Sequence, residues 1–398
     1  MRRIIIPALV ATLGLLSAQP AGADGTLAWS RVNTTTTGDQ DNPSVAASRT
    51  GYTAVVWEDD RDTTAPDDTV HTEVFLRLYR DGAPVFEKKV SAGGTGTWRH
   101  VQPDVAVRDD GGSVVVFAED PDGNGYYQIR VLTFDAAGTQ TGSAVANASA
   151  TGQQVNPEVA ADPDGPGFAV VFEDEQTDAE PTVRLSGFAS ITSKTYEVRV
   201  HAAGGTNSHP DVAMGAAGNA IVVWDEDGDA NGYYNIGLAS FTPSGAVKLA
   251  KRVANQATGE QQRNATVAAN FNGDFVVGWE TDHLGDDQIG VRSFTATGAA
   301  PAEVFLPGND PQVGLDDQRY AVAYWTLTDD VYLQGLNPDG TTNGRQPRVR
   351  ANPVTGRQTQ PALAVDPYGR ITLTHADDPE PDAFDEVTIG TGLTNSTW

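Results

Sequence analysis

Apolar and polar residues alternate in short runs along most of the chain, and the runs recur in a fixed order. A Pro-led segment comes first: NPSVAAS (42–48), QPDVAVR (102–108), NPEVAAD (156–162), HPDVAMG (209–215), NATVAAN (264–270), DPQVGLD (310–316) and QPALAVD (360–366). A short turn rich in Gly, Asn and Asp follows, then a more apolar run: YTAVVWED, SVVVFAED, FAVVFEDE, AIVVWDED, FVVGWETD, YAVAYWTL and RITLTHAD. A third run reads like TEVFLRLY or YNIGLASF, and a fourth like PVFEKKV or AVKLAKRV. Period-two alternation in short segments predicts strands, the short turns predict hairpins, and no amphipathic helix of useful length interrupts them.

Successive units start 60, 54, 53, 55, 46 and 50 residues apart. A period near fifty with four short strands per unit predicts an all-β fold, a seven-bladed β-propeller of four-stranded antiparallel blades. The last unit stops after its third strand, EVTIGTGL, while TLAWSRV (26–32) resembles the fourth strand AVKLAKRV (246–253). The N-terminal strand is therefore expected to complete the last blade and close the ring, with Leu27–Val32 beside Val387–Thr391, which removes an open sheet edge. Trp57, Phe117, Phe172, Trp224, Trp279 and Trp325 end the second strands and are expected to wedge between blades, each contributing about 2–3 kcal/mol. His375 occupies the matching place in the last unit, which predicts that this junction is the weakest packed.

The strand pattern uses nearly all of the 398 residues as one domain, 24–398. Residues 1–23 read separately: basic MRR, an apolar run, and AGA (21–23) as a cleavage site, the pattern of a signal peptide that exports the protein to the exterior or cell surface. No other segment is long and apolar enough to span a membrane. The chain has no Cys, which excludes thiolate catalysis, heme attachment and Cys-bound zinc. A net charge of −27 argues against nucleic acid and favours cations or basic partners, or simply solubility. A monomer is the expected state.

In a meandering blade, the loops after the second strand share a face with the segments before the first. Those loops are acidic: EDDRDTTAPDDTVH (58–71), EDPDGNGYY (119–127), EDEQTDAEP (173–181), DEDGDANGYY (225–234), ETDHLGDD (280–287), TLTDD (326–330) and ADDPEPDAFDE (376–386). Facing them should stand Gln40, His100, Gln154, Asn207, Gln262, Gly308 and Gln358, three residues before the Pro position. Asn42, Gln102, Asn156, His209, Asn264, Asp310 and Gln360, one residue before it, belong to the same face. The expected result is one acidic, amide-rich face around a central channel.

Two loops read D-x-D-x-N-G: Asp120, Asp122 and Asn124, and Asp227, Asp229 and Asn231. Alternate oxygen ligands and a Gly for the tight reversal suit Ca²⁺, the candidate cofactor. Val131 and Leu238 stand where an EF-hand needs Glu, so these are not EF-hands. The other reading is an ordinary Asn-Gly turn with solvated carboxylates. The acid after the wedge aromatic (Glu58, Glu173, Asp225, Glu280) invites a glycosidase reading, because hydrolysis needs two carboxylates about 5–10 Å apart. Its recurrence in several blades favours a structural role instead, as acceptor for the next blade's amides. No nucleophile elbow, Walker loop or paired-His metal motif is present.

The units Q-x-x-P-x-V-A followed by V-V-W-E-D resemble the repeats of secreted or surface bacterial seven-bladed β-propellers, and the two Asp loops are distantly similar to integrin-type calcium loops. The resemblance spans residues 26–398 and implies the architecture, with no active site to carry over. The expected function is binding of an extracellular glycan or protein through the acidic loop face, with Trp98, His100, Tyr126, Tyr127, His209, Tyr233 and Tyr234 as contact residues and no catalytic residue assigned. The alternative is a secreted polysaccharide hydrolase or lyase using loop-face carboxylates.

Overall fold

The computed structural model describes residues 27–61, 72–91, 99–120, 123–163, 165–175, 181–202, 204–283, 285, 288–343, 349–351, 356–378 and 385–394. They form seven four-stranded antiparallel sheets, each running outward from an innermost strand. Those inner strands are Gln40–Ala47, His100–Val107, Gln154–Ala161, Thr206–Gly215, Gln262–Ala269, Asn309–Leu315 and Arg357–Val365, and they define blades 1 to 7. The only helical piece among the described residues is a 3-10 turn, Ala216–Gly218. None of the described helices is long and apolar enough to cross a membrane.

The ring closes as the sequence pattern predicts. Strand Ala28–Arg31 lies antiparallel to Glu386–Thr394 with Ala28 opposite Thr391 and Arg31 opposite Thr388, and it supplies the fourth strand of blade 7. Residues 1–23, which the sequence pattern reads as a signal peptide, lie outside the described residues.

The core consists of apolar layers between neighbouring blades. Trp57, Phe117, Phe172, Trp224, Trp279 and Trp325 are each at most 1% exposed, and each sits in a cluster drawn from two adjoining blades. The third strand makes room for the large rings by carrying Gly. A Cβ on Gly237 or Gly290 would come within 2.3 or 2.4 Å of the Trp224 or Trp279 indole. At the blade 6–7 junction the space that a wedge aromatic would take is shared. His375 is fully buried, with Nδ1 2.8 Å from the Tyr324 hydroxyl and Nε2 3.0 Å from Thr388 Oγ1. The Trp29 ring of the closing strand packs edge-on against it at 4.8 Å. Burial holds the imidazole neutral, its pKa lowered to about 3.

A second recurring device escapes a search for periodicity. In five blades the residue two past the end of the outer strand caps the N–H of the third strand's second residue. Asn33 Oδ1 accepts from Val387, Ser91 Oγ from Val74, Asn147 Oδ1 from Ile129, His201 Nε2 from Val183 and Asn255 Oδ1 from Ile236, all within 2.8–3.1 Å. An N–H that would otherwise be buried without a partner is thereby satisfied in five blades.

Candidate functional site

Each inner strand is broken at one place. The antiparallel register shifts by a bulge at the Pro position in all seven blades. The residue before that position is left-handed every time: Asn42, Gln102, Asn156, His209, Asn264, Asp310 and Gln360 have φ between 45° and 56°. Asn, Asp and His tolerate this conformation better than other residues, and Pro fits a bulge because no ladder N–H is required of it. The bulge takes the N–H of these residues out of the ladder, and Asn156, His209, Asn264, Asp310 and Gln360 line the cavity of the central bore.

The acid after the wedge aromatic meets those N–H groups across the blade junction. Glu58 Oε1 accepts from Gln102 N at 2.7 Å, Glu173 Oε1 from His209 N at 2.7 Å, Asp225 Oδ2 from Asn264 N at 3.0 Å and Glu280 Oε1 from Asp310 N at 2.9 Å. Within their own blades, Asn42 Nδ2 and Asn156 Nδ2 donate to Glu58 and Glu173 at 2.8 and 2.7 Å. Blades 2 and 7 carry Ala118 and Ala376 in place of the acid. There the bulge residue is Gln, and its own oxygen serves: Asn156 N donates to Gln102 Oε1 at 3.0 Å and Asn42 N to Gln360 Oε1 at 2.8 Å. The repeated carboxylates are thus acceptors that latch blades 1, 3, 4 and 5 each to the blade that follows.

Blade 4 departs from the ring. Its bulge residue is His209, whose Nδ1 lies 3.2 Å from Asp225 Oδ2 while 55% of the side chain stays exposed. The hydrogen bond to Asp225 raises the imidazole pKa against the opposing effect of burial.

Below the rim the bore opens into a cavity of about 530 Å³ whose wall includes His209, Asp310 and Gln360 at the mouth and Asp104, Glu158 and Asp211 deeper. These three acids follow the Pro in blades 2, 3 and 4, where the other blades carry Ser44, Thr266, Gln312 and Ala362. Asp104 accepts from Val159 N at 2.7 Å and Asp211 from Val267 N at 2.6 Å, each the free edge N–H of a neighbouring inner strand. Burial raises all three carboxyls, and the charges of Asp104 and Asp211 push Glu158 further. At the opposite end of the bore the Arg49 guanidinium crosses between blades: Nε is 2.7 Å from Asp109, an Nη donates to Pro163 O at 3.0 Å, and the group lies 5.0 Å over the Phe271 ring. The cavity is a cup opening to the loop face.

The Asp211 carboxyl is raised to about 7 by burial, with Asp104 adding to it and the Val267 and Thr266 hydrogen bonds opposing. A raised carboxyl contributes stability that is complete below its unfolded pKa, near 4, and is lost as pH rises through its folded value. Asp211→Asn should therefore gain melting temperature over the wild type as pH goes from 4 to 7.5. A gap between the two proteins that does not change with pH would refute this.

The predicted contact residues fall in three groups. Tyr126 and Tyr233 are exposed on the loop face, at 51% and 46%, with Tyr127 and Tyr234 half-buried beneath them, and His209 lines the cup mouth. His100 is 1% exposed, with Nδ1 3.1 Å from Glu73, so its ring offers no face to a ligand. Trp98 and Asp122 lie outside the described residues. The amide set expected beside His100 on the face is also interior: Gln40, Gln154, Asn207, Gln262 and Gln358 are at most 1% exposed. They are drawn inward by the wedge indoles and the linkers; Asn207 and Gln262 accept the Trp224 and Trp279 N–H groups at 3.1 and 2.8 Å.

The two Asp loops close on themselves. Asp120 accepts from the N–H groups of Asn124 and Gly125, and Asp227 from those of Asn231 and Gly232, at 2.8–3.1 Å. Asp229 accepts from Asn231 Nδ2 at 2.9 Å. Among the described residues no three His, Asp or Glu side chains converge as a metal site.

No protein-family profile and no curated protein matches the chain. Solved structures do. A protein of unknown function from Dyadobacter fermentans aligns with a TM-score of 0.54 at 13% identity, covering 91% of this chain and 97% of that one. The GH93 α-L-arabinofuranosidase of Fusarium graminearum aligns at 0.54 and 12%, covering 90% and 94%. A catalytically inactive virginiamycin B lyase from Staphylococcus aureus aligns at 0.53 and 10%, covering 92% and 99%. At these identities the likeness is one of fold: this chain is a seven-bladed β-propeller.

Proposed function

We propose that the protein is an exported, non-catalytic binding propeller that takes a polar ligand, a glycan or a protein segment, on its loop face. The observation that carries this reading is the commitment of the repeated acids. Glu58, Glu173, Asp225 and Glu280 each hold a bulge N–H of the following blade, and Gln replaces the acid in that task where Ala stands. A general acid or a nucleophile depends on its proton or charge, which an amide cannot supply. What remains free on the loop face is suited to recognition: the second nitrogen of His209 and the exposed rings of Tyr126 and Tyr233. The test is mature protein on glycan and secreted-protein arrays. Saturable binding that weakens in His209→Ala supports the reading; no ligand on either array removes it.

A hydrolase or lyase is the second reading. It is favoured by Asp104, Glu158 and Asp211, which break the repeat, sit together in the cup and are raised by burial, as an acid catalyst requires. The fold is shared with a glycosidase and a lyase. Turnover of a polysaccharide that vanishes in both Asp211→Asn and Glu158→Gln would establish it, and turnover surviving both would exclude these residues. Calcium enters either reading only at the Asp120–Asn124 and Asp227–Asn231 loops. Because both loops close with their own hydrogen bonds, chelator and added Ca²⁺ are expected to leave the melting temperature unchanged.

A further inference from the structure

The loops of blades 2 and 4 are the same object built twice. Asn124 Oδ1 and Asn231 Oδ1 accept from Tyr126 N and Tyr233 N, both at 2.7 Å. The following blade then fastens each loop with one Gln. Gln153 Nε2 donates to Gly125 O at 3.0 Å while its Oε1 accepts from Tyr127 N at 2.9 Å. Gln261 does the same to Gly232 O and Tyr234 N at 2.8 and 3.3 Å. The next inner strand adds a last bond, from Gln154 N and Gln262 N to the carbonyls of Tyr127 and Tyr234, at 3.1 Å in both. Of the seven loops after the second strand, only these two contain Tyr, and only the blades that follow them carry this Gln; Asp39, Arg99, Thr206, Pro307 and Arg357 stand at that place elsewhere.

The outcome in both cases is a Tyr ring exposed to solvent beside a backbone tied by these hydrogen bonds. Exposed aromatic surface fixed in advance binds with little ordering cost, which is how rigid Tyr-rich binding surfaces work. Two equal platforms on one face, with blade 3 between them, suit a ligand that presents the same surface more than once. A polymer of flat, equatorially linked sugar rings does so, each ring offering a C–H face to an aromatic side chain. The charge of −27 and the exposed Asp229 beside Tyr233 oppose an anionic polymer.

We propose that Tyr126 and Tyr233 are twin stacking platforms that grip one neutral β-1,4-linked polysaccharide chain bivalently. The proposal rests on the binding reading above and names its ligand.

The test uses the mature protein with cellohexaose, xylohexaose and mannohexaose in calorimetry, and with hydroxyethyl cellulose, xylan and glucomannan in affinity electrophoresis. One of the three hexasaccharides should bind, and its affinity should fall in both Tyr126→Ala and Tyr233→Ala. Each single variant should weaken binding of the matching polymer at least about tenfold through lost avidity. Tyr126→Phe and Tyr233→Phe should bind like the wild type, and unchanged melting should show that all variants fold. No binding to any of the six probes, or affinity indifferent to both Ala changes, would overturn the proposal. Binding on the arrays that persists in the double Ala variant would sink the platforms while leaving the binding reading intact.

Discussion

Deleting residues 27–33 is expected to cost on the order of 5 kcal/mol or more and to leave an aggregating protein. The closing strand does more than pair four residues with blade 7. Val32 is fully buried, and its N–H donates to Val387 O at 2.7 Å. Asn33 Oδ1 accepts from Val387 N at 3.0 Å. Trp29 donates its indole N–H to Ala351 O at 3.0 Å and covers Gly390, where a Cβ would come within 2.8 Å of the ring. Burial of one Val contributes about 1.5–3 kcal/mol, each bond about 0.5–1.5, and the indole a further share. The loss also exposes Glu386–Thr394 as an open edge and uncovers His375. Urea unfolding with size-exclusion chromatography measures both effects. A shortened chain that stays monomeric with an unchanged midpoint would show that the ring is not shut by this strand.

Glu173→Ala should have the next largest effect, a loss of about 2–3 kcal/mol with no change in secondary structure. Glu173 is 6% exposed and accepts from two donors, Asn156 Nδ2 in its own blade and His209 N in the next. Ala removes the acceptor from both, and the partly covered surroundings restrict replacement by water. The His209 N–H cannot turn elsewhere, because a left-handed bulge holds it toward Glu173. Changes of this kind should loosen the junction between blades 3 and 4 specifically. Hydrogen exchange at the inner strand Thr206–Gly215 is the local readout.

Much of this structure is legible in the order of residues. The seven inner strands, the wedge aromatics and the pairing of residues 28–31 with 388–391 all follow from the period and from the surplus strand at the beginning. The common face of the acidic loops and the pre-strand segments follows from strand direction, and Gln153 and Gln261 bind those loops directly. The repetition of Glu58, Glu173, Asp225 and Glu280 indicates acceptors, as found. Three features were not legible, each for a physical reason. Gln40, His100, Gln154 and their equivalents look like surface amides, yet indoles and linker groups from distant positions pull them inside. The cup acids Asp104, Glu158 and Asp211 directly follow the Pro and look like unremarkable strand residues; only ring closure brings three neighbouring blades to one cavity. Arg49 reads as an ordinary turn residue, and its span to blades 2, 3 and 5 depends on the width of the bore. The left-handed bulge did leave a signal, since five of seven residues before the Pro position are Asn, Asp or His, the types that accept positive φ.

The central claim is that the repeated acids serve as oxygen acceptors between blades and not through their protons. Urea unfolding of Glu173→Gln beside Glu173→Ala tests it most directly. Gln keeps the acceptor oxygen, as Gln102 and Gln360 do for their own neighbours. The latch predicts that the Gln variant stays within about 1 kcal/mol of the wild type while the Ala variant loses two or three times as much. Equal losses in both variants would contradict it, because the charge, and not the oxygen, would then be what the next blade requires.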